Sequence, residues 1–124
     1  MANIDNYREY SNDSFNPVTV QNDGEDKVVF AFFEKNQFIP VHSPNSKLTM
    51  TVWRGEGILR TENGDQEISE GDVEVVEAGE PRGIKSDDSK LETIMVVSPP
   101  PGEEGHRMVE RGIREGKFEP DIDQ

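Results

Sequence analysis

Between Phe38 and Ser86 the chain goes no more than about a dozen residues without a turn signal. The pieces between the signals are too short for helices. Lys47 to Arg54 alternates, with Leu48, Met50 and Val52 on one side and Thr49, Thr51 and Trp53 on the other. Asn63-Gly64 between Ile58–Thr61 and Gln66–Ser69 is a two-residue hairpin signal. Gly71-Asp72 turns the chain before a strand at Val73–Val76. Ala78-Gly79-Glu80-Pro81 then leads into a short strand at Arg82–Lys85. Gly55-Glu56-Gly57 and Asp87-Asp88 read as two further turns, and Leu91–Ser98 as the last strand. No helical period occurs before residue 100. Many short strands with closely spaced turns fit a sandwich or a barrel.

The flanks extend this pattern. Lys27 to Phe33 (K-V-V-F-A-F-F) is an unbroken apolar run, the signature of a strand buried on both faces. Its outer face needs a cover, either a second sheet or another subunit. Gln37–Val41 is a strand after a turn at Asn36, with Pro40 marking an edge or bend. Residues 1–26 are polar and read as an N-terminal arm or loose lead-in. Within them Phe15–Val20 is a candidate strand, placed at an edge by Pro17. Pro99-Pro100-Pro101-Gly102 ends the sheet as a stiff spacer. Glu103–Glu115 is a candidate helix with a narrow stripe of Met108, Val109 and Ile113, weakened by Gly105 and Gly112. The residues after it read as frayed. The expected parts are an arm (1–26), a barrel (27–99) and a C-terminal tail or short helix (100–124).

Charge narrows the partners. With 26 acidic and 13 basic residues the formal net charge is −13. Such a domain repels phosphate backbones, so nucleic acid and anionic membranes are not expected partners. Only 6 of the 13 basic residues are Lys, so ordinary solubility and a salty, halophilic cytoplasm both fit the acidity. There is no Cys, which removes disulfides, thiolate nucleophiles and Cys-type zinc sites. No run approaches the roughly 18 apolar residues of a membrane span, and a cytoplasmic location is expected.

Two motifs carry a resemblance. One runs from His42 through Pro44 and Leu48 to Gly55, the other from Gly71 through Glu77, Gly79 and Arg82 to Ser86. Their spacing resembles that of the small single-domain cupins, whose motifs are G-x5-H-x-H-x3,4-E-x6-G and G-x5-P-x-G-x2-H-x3-N. The resemblance covers roughly residues 27–99. It implies an all-β fold: a cupin double-stranded β-helix (jelly-roll) barrel with an N-terminal arm and a short C-terminal helix or tail. In that family three His and one Glu usually hold a metal. The matching positions here are His42, Pro44, Leu48 and Arg82. Pro and Leu offer no donor, and a guanidinium stays charged. One imidazole does not hold a first-row ion. No metal and no cofactor are therefore expected, and the other histidine, His106, lies in the tail.

The resemblance places His42, Arg82, Leu48 and Met50 as ligand-binding residues. His42 is the candidate catalytic group, since cupin-like deoxysugar epimerases use a His base without metal. The competing reading is a leftover His42 satisfied by a neighbouring carbonyl or carboxylate. A buried Arg82 needs an anion. Glu77, Glu56 or Glu80 can supply it, or else a ligand carboxylate or phosphate does. The leading expectation is a metal-free barrel that binds a small polar or anionic molecule, with or without catalysis. One alternative is an enzyme: a metal-independent isomerase or epimerase using His42, or a metal-dependent oxygenase or isomerase with relocated ligands. The other is a structural or regulatory dimer with a packed barrel. The apolar run Val28–Phe33 points to a homodimer.

Overall fold

Alternating apolar residues need a partner strand before they can leave water, and almost every strand-like segment finds one. The computed structural model describes residues 2–119. The frayed end expected at 120–124 lies outside the described residues. In order, the elements are α1 (Ile4–Tyr7), β1 (Asn16–Asn22), β2 (Lys27–Phe33), β3 (Phe38–His42), β4 (Lys47–Thr61), β5 (Gly64–Ser69), β6 (Val73–Val76), β7 (Arg82–Ser98) and α2 (Glu103–Glu115). The strands form one antiparallel sheet, β1-β2-β7-β4-β5, with β3 added to β7 and β6 to β4.

The two long strands make this sheet into a barrel. β4 and β7 pair along both of their halves. One pair of halves sits beside β1, β2 and β6; the other sits beside β3 and β5. The core lies between these two layers. It joins Val29, Leu48, Met50 and Met95 from the first to Ile39, Leu59, Ile68 and Ile84 from the second.

The strands expected to stop at Gly55-Glu56-Gly57 and Asp87-Asp88 do not stop. The chain bends there and continues pairing, with register shifts between Val52 and Arg54 and between Gly55 and Gly57. Gly55 has φ +88°, and a Cβ on it would stand 1.8 Å from the Lys90 carbonyl oxygen. The crossing of the two strands requires glycine at that point.

The N-terminal segment is more ordered than a loose lead-in. β1 pairs with β2 along Asn16–Asn22, and the Asn3 side chain accepts a hydrogen bond from Asp5 N at the start of α1. Ile4, Tyr10, Val18 and Val20 pack on Phe30 and Phe32. Tyr7 meets the Phe30 ring edge-on. The outer face of β2 is thus packed against the chain's own N-terminal segment. Among the described residues, four large apolar side chains stay exposed: Tyr7, Trp53, Val73 and Val75. No helix among the described residues is long and apolar enough to cross a membrane.

Candidate functional site

A cavity of about 310 Å³ opens at one end of the barrel, between the sheet and α2. β3 brings His42 to it and β7 brings Arg82, and the two residues are register partners across the β3–β7 pair. β4 contributes Leu48, and β2 contributes Val29 and Ala31. Ile39, Ile84, Met95 and Phe15 add to the cavity's apolar wall, and Ser14 and Lys27 are among its polar lining residues. Of the four residues expected to bind a ligand, the structure brings together His42, Arg82 and Leu48. Met50, which also reads most simply as a core residue, is fully buried and is not among the residues that line the cavity. It lies on the inward face of β4, as its alternation required, but below the open end.

Arg82 is only 3% exposed. Its Nη2 donates to the Glu77 carbonyl at 2.9 Å and its Nε to the Glu80 carbonyl at 3.3 Å. Both acceptors are backbone atoms of the turn between β6 and β7. None of the expected carboxylate partners, Glu77, Glu56 or Glu80, forms an ion pair with it. Glu80 acts only at longer range, and burial pushes the guanidinium below its ordinary pKa. Nη1 has no hydrogen-bond partner among the described residues. Two neutral carbonyls orient the group but leave its charge uncompensated.

His42 meets the Pro40 carbonyl through Nδ1 at 2.8 Å. A carbonyl can only accept, so Nδ1 carries the proton and Nε2 is an acceptor. Burial pushes the imidazole below its ordinary pKa. The Pro40 and Arg82 backbone carbonyls oppose this, and the charges of Arg82 and His106 add to it. The ring is therefore neutral at pH 7.

The sequence reading missed the second wall. α2 does not trail away from the barrel but closes over its mouth, bringing His106, Val109, Glu110 and Ile113 to the cavity. His106 thus reaches the site that its place in the tail argued against. Gly112 makes the docking possible, because a Cβ there would stand 2.5 Å from the Pro40 ring. The signal was present in the Val109/Ile113 stripe, but nothing local says what an amphipathic helix will cover. A metal does not fit these residues. The aligned positions hold His42, Pro44, Leu48 and Arg82, and no group of three His, Asp or Glu able to hold an ion occurs among the described residues.

No protein-family model matches the chain, and no curated protein does. Solved structures do. A conserved protein with a double-stranded β-helix domain from Klebsiella pneumoniae is 25% identical, with a TM-score of 0.73 over 80% of this chain and 89% of that one. An RmlC-like cupin protein from Desulfovibrio desulfuricans is 24% identical, with a TM-score of 0.68 over 75% and 90%. KdgF from Halomonas sp. is 15% identical, with a TM-score of 0.69 over 80% and 93%. With β4 and β7 running through both layers of the barrel and these structures superposing on it, the chain has the cupin fold, a double-stranded β-helix.

Proposed function

We propose that this cupin-fold barrel binds a small polar or anionic molecule in the cavity under α2, held by Arg82 and His42 against an apolar wall that includes Leu48. The reading is carried by Arg82, a nearly inaccessible guanidinium with two carbonyl partners, no carboxylate and one nitrogen left over. A protein that merely packed its barrel would gain by neutralising or replacing such a charge, because an unpaired buried ion costs several kcal/mol. An anionic ligand removes that cost when it binds.

Purification under non-denaturing conditions, followed by mass spectrometry of the released small molecules, tests the reading. The wild type should carry a molecule that Arg82→Ala lacks, with both proteins showing the same β-type circular dichroism. Identical small-molecule content in the two would overturn it. A catalytic role for His42 has less support, because its contact with the Pro40 carbonyl is also what a purely structural histidine makes.

We also propose that two copies associate through the outer sheet face. Val73 and Val75 lie across from Thr51 and Thr49, and Trp53 belongs to the groove formed by Phe30, Ile94 and Tyr7 on the same face. An isologous contact needs one self-complementary patch, and Tyr7, Trp53, Val73 and Val75 are exposed apolar side chains that can supply it.

A further inference from the structure

The charged groups around the cavity mouth do not cancel. Arg82 and Lys27 are the cations among its lining residues and Glu110 is the carboxylate, which leaves one net positive charge apart from the rings of His42 and His106. His42 adds none at pH 7, since its Nδ1–H is committed to the Pro40 carbonyl and burial favours the neutral ring. Lys27 and Glu110 are at least partly exposed and lie at the rim, so water can solvate both. Arg82 is the one charge set into the wall.

The shape matches that charge. Much of the lining is apolar, with Phe15, Val29, Ile39, Leu48, Ile84 and Met95 flanking the few polar side chains, Ser14, His42 and His106 among them. A volume of about 310 Å³ lies at the small end of the range for ligand pockets. We infer that the ligand is a monocarboxylic acid of about this size with an apolar body, its carboxylate on Arg82 and its body along Leu48, Val29 and Met95. This rests on the cavity being a binding site, as proposed above, and names the class of molecule it takes.

Two competing classes fit less well. A phosphate ester of the same size brings a charge of about −1.5 to −2 at pH 7. Its second charge would enter a place with one buried cation and a nearby carboxylate, where an unmatched ion is penalised. A neutral alcohol or hydrocarbon fits the walls but leaves Arg82 without an anion.

Calorimetric titration of the full chain at pH 7 decides among them, with octanoate, 3-phenylpropanoate, hexyl phosphate and octan-1-ol as probes. At least one carboxylate should bind one-to-one, about ten-fold or more tightly than the phosphate and the alcohol. Arg82→Ala should weaken the carboxylate by at least as much, and Arg82→Lys by less, since Lys keeps the charge but not the fork. Leu48→Trp, which fills the wall and leaves Arg82 in place, should abolish binding. Melting curves of all three variants guard against misfolding. Equal or tighter binding of hexyl phosphate or octanol would overturn the carboxylate assignment while leaving an Arg82-dependent site. Failure of both carboxylates would also overturn it. If Arg82→Ala still released the same co-purified molecule as the wild type, the binding site itself would fall.

Discussion

Glu92 is a carboxylate only 2% exposed, placed on the outer face of the sheet between Phe32 and Arg54. It survives there because three groups converge on it. Arg8 donates through Nε at 2.5 Å and Nη2 at 2.8 Å, and the Tyr10 hydroxyl donates to the same carboxylate. Burial works to raise its pKa, but the hydrogen bonds from Arg8 and Tyr10 and the charges of Arg8 and Arg54 outweigh it, so the net shift is downward. A lowered native pKa gives stability that is present above the ordinary glutamate value and is lost as the pH falls through the native one. Urea unfolding at pH 7 and about pH 3 should show part of the acid loss in the wild type vanish in Glu92→Gln. At neutral pH, Arg8→Ala should cost about 3 kcal/mol, because it strands a buried charge. A loss of only a few tenths of a kcal/mol would mean that the pair is worth no more than a surface bridge.

At the scale of elements, the strands were legible and their bends were not. The alternation in Lys47–Arg54 and the Asn63-Gly64 hairpin report local requirements, period two and positive φ, and the strands formed where those signals lay. Gly55-Glu56-Gly57 sends the same local message as a turn. Its real demand is for closeness to β7, with the Lys85 and Lys90 carbonyls where side chains would otherwise be. α2 shows the same division. Its helical stripe can be read from the residues, whereas its seat against Pro40 depends on a proline more than sixty residues earlier in the chain. Gly112→Ala tests that seat. Alanine favours helix by about 1 kcal/mol in isolation. Here its methyl would meet a rigid ring at 2.5 Å, so the clash should dominate and cost about 1–3 kcal/mol. Hydrogen exchange should then speed up in Glu103–Glu115 while the β4 and β7 amides stay protected. Unchanged exchange in α2 would mean that the helix does not depend on the Pro40 contact.

At the scale of the whole molecule, a net charge of −13 opposes association, so two copies must be held by apolar contact. Light scattering should report a dimer at micromolar concentration that tightens as salt screens the like charges. The double variant Val73→Lys and Val75→Lys should be monomeric with little change in melting temperature, because both side chains are already exposed. A monomeric wild type would end the dimer proposal. The amino-acid order determined where strand segments lie and the barrel class, though not that two pairs of segments join into the long strands β4 and β7, because strand patterning and turn chemistry are requirements each short segment states for itself. The cupin resemblance of its motifs also led to the expectation that Pro44, Leu48 and Arg82 replace the family's metal-binding side chains. Only the tertiary structure decided that the N-terminus covers β2, that α2 and His106 close the cavity, and that Arg82 meets carbonyls rather than carboxylates. Those outcomes depend on which surfaces meet across long stretches of chain, and no single segment carries that information.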